Sequence, residues 1–313
     1  MSDGAATAKP LTIHRKDYTP PAFKILQISL DFDLHETATR VKSRMEIERR
    51  TRGADLRLDG EGLKLVAVTI DGKALHSGAF EVSDHQLVIP SLPEKFILEI
   101  ETEINPEGNT ALEGLYLSHG MFCTQCEAQG FRRITYYLDR PDVMTRFSVR
   151  IVADEKSYPV LLSNGNKVEE GKLPGGRHFV RFDDPFPKPS YLFALVAGDL
   201  AALDDQFITR SGRKVSLHIF AAPEDLDKCG HAMHSLKKAM KWDEDVYGLE
   251  YDLDIFNVVA VSHFNMGAME NKSLNIFNTK CVLARPESAT DADFAGVEAV
   301  VAHEYFHNWT GNR

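Results

Sequence analysis

The string His303-Glu304-Tyr305-Phe306-His307 restricts this part of the chain to one local conformation. Two imidazoles four residues apart stand one turn above the other on an α-helix, close enough to share an ion, whereas on a strand they would share a face but lie roughly 13 Å apart. The apolar residues around them, Phe294, Val297, Val300, Val301 and Phe306, recur at helical spacing. Thr290 and Asp291 are suited to cap the start of that helix and Gly311 to end it. His303 and His307 can then converge on one ion, with Glu304 able to reach a water beside it, which is the arrangement of zinc hydrolases. The same string also fits an amphipathic core helix with two solvated histidines, so the rest of the chain has to separate the two readings.

A chain of 313 residues is long enough for two domains, each with a sizeable core. It carries 46 acidic residues against 36 basic, a formal charge of -10. That balance argues against nucleic acid, whose binders draw affinity from Lys and Arg meeting phosphates. No uncharged apolar run is long enough to span a bilayer, and Met1 to Asp17 lacks the apolar segment of a secretory signal. The four cysteines, Cys123, Cys126, Cys229 and Cys281, are too few for a disulfide scaffold. The expected location is therefore the cytoplasm, with no membrane partner.

Ile28, Leu30, Phe32 and Leu34 alternate with polar residues, and Val41, Met45 and Ile47 follow, which predicts a hairpin. Short segments of the same texture continue through Phe96 to Ile100, Phe147 to Ile151 and Phe179 to Phe182, broken by Asp71-Gly72, Asn105-Pro106 and Ser163-Asn164-Gly165-Asn166. Many short strands at regular spacing indicate a β-sandwich or related sheet domain. Composition shifts after the Pro-rich stretch ending at Pro189, and a boundary is expected near Gly198-Asp199. Beyond it the pattern predicts a strand from Val215 to Phe220, a helix from about Glu224 to Tyr247, and strands over Ile255 to Val261 and Ser273 to Asn278. With the His303–His307 helix, this makes a second domain of α/β or α+β class.

Between the last strands lies Gly267-Ala268-Met269-Glu270-Asn271. That motif, with the H-E-x-x-H string about thirty residues later, resembles the M1 family of zinc aminopeptidases, gluzincins with a thermolysin-like catalytic domain. The segment Thr124 to Gly130, with Tyr136 to Asp142 after it, is similar to the bacterial aminopeptidase N branch. The resemblance implies a saddle-like all-β domain over 1–199, then the first part of an α+β thermolysin-like metallopeptidase domain over 200–313. It implies one zinc ion on His303 and His307, with Glu304 as general base. It makes Glu270 and Glu127 the carboxylates that hold the free α-amine of a peptide, with Gln125 lining the same pocket. Gly267, Ala268, Met269 and Asn271 complete the substrate-binding segment, and Met266 would cushion the first side chain, since methionine adapts to varied shapes. Peptides with a free N-terminus are the implied substrates; the oligomeric state stays open.

The family's third zinc ligand, its oxyanion-stabilising tyrosine and its helical C-terminal domain would all fall beyond Arg313. The expectation is accordingly an N-terminal fragment that is inactive by itself. Plainer roles also fit single residues: Glu270 can cap a turn, and Glu127 can pair with Arg132 or Arg133. Cys123 and Cys126 read as structural, while His231 and His234 share a helix face that is most simply solvated. Three rival functions stay open: a thermolysin-like endopeptidase, an epoxide-hydrolysing M1 relative, and a non-catalytic peptide-binding fragment.

Overall fold

Alternation of apolar and polar residues builds most of the first two hundred residues into sheets. The structure, a computed structural model, describes residue 12 and residues 14–313, so most of the stretch read above for a leader lies outside the described residues. Fifteen strands come first: β1 (Phe23–Asp33), β2 (Thr39–Arg49), β3 (Leu56–Asp59), β4 (Lys64–Ile70), β5 (Lys73–Ala74), β6 (Glu81–Val82), β7 (Gln86–Ile89), β8 (Lys95–Ile104), β9 (Gly114–Ser118), β10 (Met121–Gln125), β11 (Thr145–Asp154), β12 (Val160–Ser163), β13 (Asn166–Leu173), β14 (Arg177–Lys188) and β15 (Leu195–Gly198). The rest comprises β16 (Ala201–Ile208), β17 (Lys214–Ala221), helix α1 (Gly230–Val246), β18 (Ile255–Val261), β19 (Ala268–Met269), β20 (Leu274–Asn278) and helix α2 (Asp291–Phe306).

Strands β1 and β2 form the expected antiparallel pair, at the centre of an eight-stranded sheet ordered β13-β14-β11-β1-β2-β8-β4-β5. Ile25 and Ile28 both point inward despite their odd spacing, because the register shifts between Ile25 and Gln27. On its other side β1 pairs with β11 in parallel, a long-range contact that local pattern does not announce. A three-stranded sheet, β3-β7-β6, and a four-stranded sheet, β12-β15-β10-β9, accompany it. The first part is thus the expected sheet domain, with one face of the eight-stranded sheet sharing a single core with the two smaller sheets.

The four-stranded sheet is the middle layer of the molecule. Phe122, Leu161 and Leu195 face the core shared with the eight-stranded sheet, whereas Tyr116, Cys123, Leu162 and Val196 face the other way. There they meet Val259, Val261, Leu274 and Ile276 of a five-stranded sheet ordered β16-β17-β18-β20-β19. The far side of that sheet, with Phe256, Val258 and Phe277, packs on α1 and α2. Burial on both faces explains why β18, parallel to β17 and β20, reads as an unbroken apolar run.

Sheet membership changes between Gly198 and Ala201. The helix predicted from Glu224 starts later. Pro223–Lys228 is a 3-10 turn, and the α-helix begins at Gly230, with Met233, Leu236 and Met240 buried as the spacing requires. No helix among the described residues is long and apolar enough to cross a membrane.

Candidate functional site

Helix α2 begins with a reciprocal cap: the Thr290 hydroxyl accepts from Asp293 N–H, and the Asp293 carboxylate accepts from Thr290 N–H at 2.8 Å. Asp291, the other residue suited to capping, is the first residue inside the helix. Val297, Val301 and Tyr305 are buried in the core that α2 shares with α1. Each valine so buried contributes about 1.5–3 kcal/mol. Phe294 and Val300 pack against the rim of that core while remaining partly exposed, and Phe306 is partly covered.

With Val301 and Tyr305 turned inward, His303 and His307 emerge side by side, their Nε2 atoms 3.1 Å apart. Two donors held about 2.0–2.1 Å from one tetrahedral ion stand about 3.3 Å apart, so the pair fits a zinc ion. His307 Nδ1 donates to Thr310 O at 2.8 Å, which leaves the Nε2 lone pair pointing at the shared position. Glu304 is only 6% exposed, and its carboxylate joins the two imidazoles in a cluster whose ligand atoms all lie within 4.8 Å of one another. Among the described residues this is the one His/Cys/Asp/Glu group compact enough to hold a metal ion.

The second wall of the site comes from the first part of the chain. Strand β10, enclosed on both faces, delivers Gln125 at its end, and the loop 126–130 folds back so closely that a Cβ on Gly130 would lie 2.4 Å from Gln125 O. Only glycine fits there. Gln125 is buried; its Nε2 faces Glu127 O at 3.3 Å and Met269 Sδ at 3.9 Å, and its Oε1 has no hydrogen-bond partner among the described residues. Arg132 is taken by Asp139, and Arg133 by Glu61 and Glu113. Glu127 is exposed, in a loop whose Glu127–Ala128 peptide is cis, and has no ion pair among the described residues. The surface pairing considered for it does not form.

The third wall is β19, the edge strand of the five-stranded sheet, bonded to β20 on one side only. Gly267 stands just before it with open space around its Cα; a Cβ there would meet only Cys281 Sγ, at 3.8 Å. Glu270 follows the strand, half-buried, and its carboxylate accepts no hydrogen bond among the described residues; the hydrogen bond Glu270 receives, from Asn312, is at its backbone oxygen. Ala268 is half-buried on the strand and Met266 is 41% exposed beside it. Met269 is fully buried against Val259 and Ile276, so it meets the site through its backbone and through Gln125. Asn271 is buried too, with both amide atoms unpartnered among the described residues.

Electrostatics tie the three walls together. Burial, then the Glu270 and Glu127 charges, push the Glu304 carboxyl up to about 8. Burial and Glu270 also raise Glu127, which His307 partly offsets. Three carboxylates that feel one another in a small space favour a cation between them. Tyr191 belongs to the same enclosure: its hydroxyl is raised by burial and by Glu270 and Glu127. No motif marked Tyr191, which lies in the 3-10 turn Ser190–Leu192 that follows β14. The remaining sequence candidates lie elsewhere: Cys123 and Cys126 are free and wholly buried, burial pushing Cys123 up to about 12, and His231 Nε2 donates to Phe294 O at 2.9 Å, joining α1 to α2.

Residues 16–192 match the family model of the peptidase M1 N-terminal domain, and residues 231–313 match that of the peptidase family M1 domain. The chain belongs to peptidase family M1. Among M1 relatives it is 57% identical over 309 residues to aminopeptidase N of Caulobacter vibrioides, and 56% identical over 308 residues to aminopeptidase N of Escherichia coli. Both alignments take in 98% of this chain but 36% and 35% of those proteins, so the chain spans about a third of the length of the curated relatives it matches. The solved structure of Legionella pneumophila aminopeptidase A in complex with aspartic acid superposes with a TM-score of 0.92 at 37% identity, over 95% of this chain and 36% of that one. The M1 fold of stacked sheets followed by the start of a peptidase domain is therefore shared with a solved aminopeptidase.

Proposed function

We propose that this chain carries the amine-binding and metal-binding walls of a zinc aminopeptidase that removes N-terminal residues from peptides. One observation carries the reading: Glu127 and Glu270, two carboxylates without ion pairs among the described residues, bear on Glu304 beside the paired imidazoles. A zinc ion there would supply Lewis acidity and a water acidic enough to lose a proton near neutral pH.

Glu304, acting as the carboxylate, accepts a proton from the attacking water and returns it to the leaving amine, as general base and then acid. Glu270 and Glu127 hold the substrate ammonium, fixing the first peptide bond beside Glu304 and excluding chains without a free amine. The open edge of β19, with Gly267 and Ala268, pairs with the peptide backbone as an added strand. Met266, being exposed beside that edge, contacts the first side chain.

A zinc site takes three protein ligands, and beside His303 and His307 the described residues offer only Glu304, which is assigned as base. The 313 residues alone therefore bind zinc weakly and are inactive on this reading. We place the protein in the cytoplasm on the strength of its four free cysteines. The test is cleavage of an aminoacyl anilide and its N-acetyl form by the full-length protein. Loss of cleavage on acetylation supports the amine role of Glu127 and Glu270; equal cleavage points to an endopeptidase instead.

A further inference from the structure

Two residues beyond Glu270, Lys272 is buried at 2% exposure. Its ammonium donates to Asp252 Oδ1 at 2.6 Å and to Asn308 Oδ1 at 2.7 Å, and it lies 5.2 and 5.6 Å from the ring centres of Phe186 and Tyr251. Asn308 directly follows His307. A second tie runs alongside: Asn312 Nδ2 donates to Glu270 O at 2.8 Å, while Asn312 N–H bonds back to His307 O at 3.0 Å. Arg313 closes the cluster, paired with Asp252 and stacked 3.5 Å over Phe186. Phe186 is in β14, so one ammonium gathers the first part of the chain, the Glu270 segment and the end of α2.

Burying an ammonium is unfavourable unless every proton finds a partner, and an apolar side chain would fill the same space with less penalty. What the charge adds is direction. Its two short hydrogen bonds leave the 270–272 segment one position relative to Asn308, hence to the imidazole one residue earlier. A carboxylate that registers a substrate by its ammonium needs such a constraint, since a displacement of about 1 Å from productive geometry costs on the order of 10²-fold in rate.

We propose that Lys272 is a positioning residue: through Asn308 and Asp252 it sets the separation between Glu270 and the His303–His307 pair, and thereby which amine position the site accepts. The proposal rests on the aminopeptidase reading. It concerns no contact of Lys272 with substrate.

The test uses the full-length protein carrying K272M, with L-alanyl and β-alanyl anilides, whose ammonium groups differ in distance from the carbonyl by one methylene. Zinc content and the affinity of the metal-free protein for L-alaninamide are measured alongside. The wild type should prefer the α-amine. K272M should lose about tenfold or more of that preference, with a raised KM and weaker L-alaninamide binding but unchanged zinc content. Retained preference and retained L-alaninamide affinity would overturn the proposal. Should K272M fail to fold, N308A removes one partner and keeps the Asp252 pair, and the same two results on N308A decide. If instead the wild type cleaves acetylated and free substrates equally, the aminopeptidase reading itself has failed, which the N-acetyl control shows without any variant.

Discussion

His303 and His307 hold their Nε2 atoms 3.1 Å apart, one helical turn from each other, while Thr310 O secures the far nitrogen of His307. The pair is set by α2 alone, but what it faces is not. Glu270 arrives from a sheet edge and Glu127 from a loop of the first part, and both charges reach Glu304. Each of these origins gives a separate prediction for the full-length protein.

H303A or H307A should weaken zinc binding by more than the 10–100-fold that loss of an outer partner costs. Competition with a chromophoric chelator measures this. Since His303 is exposed, H303A should leave the stability of the metal-free protein within about 0.5 kcal/mol.

E304Q should retain zinc and lose about 10²–10⁴-fold in kcat, the range for removal of a general base. Metal analysis together with steady-state kinetics separates this from a ligand loss, in which zinc and activity fall together.

E127Q and E270Q should each lower the discrimination between free and acetylated substrate. Because both carboxylates bear on one group, the double variant should depart from additivity by about 0.5–3 kcal/mol. Additive effects in a double-mutant cycle would show that the two act at separate places.

Asp184 and Lys188 form an ion pair at 2.9 Å, the side chains 0% and 2% exposed. K188M should cost about 3–5 kcal/mol in urea unfolding, since it strands a buried carboxylate, whereas replacing both partners with apolar residues should be nearly neutral.

Asp243 on α1 is 1% exposed, its Oδ2 lacks a hydrogen-bond partner among the described residues, and burial pushes its carboxyl up to about 6. The native state thus holds that proton more tightly than the unfolded chain does. Its contribution is full below the usual carboxylate range, falls as pH rises through about 6, and is flat above. D243N should therefore remove part of the stability lost between about pH 4 and 6, read as a smaller difference in Tm across that interval than the wild type shows.

The elements that were legible in the sequence are those governed by neighbours along the chain. Alternation in Ile28 to Phe32, the β-branched run of β18 and the cap at Thr290 each reflect residues within a turn or a strand of one another. The helix before Gly230 was overextended because Pro223 and the acidic residues after it suit the first turn of either helix type. The parallel pairing of β1 with β11 left no local trace, since either partner would look the same in another register or another sheet. Tyr191 was invisible for a related reason: a lone tyrosine after a proline-rich stretch has no spacing to give it away.

By itself the sequence determined the His303–Glu304–His307 face, because helix periodicity acts over a few residues, whereas the Gly267–Asn271 segment was marked only by its resemblance to the M1 motif. Only the tertiary structure decided that Glu127 has no ion pair among the described residues while Arg132 and Arg133 are occupied, that β19 is an edge, and that Lys272 ties the Glu270 segment to Asn308. Those outcomes depend on which surfaces are left after the sheets and helices have packed. Packing joins residues far apart in the chain, and no local pattern encodes which of them will meet.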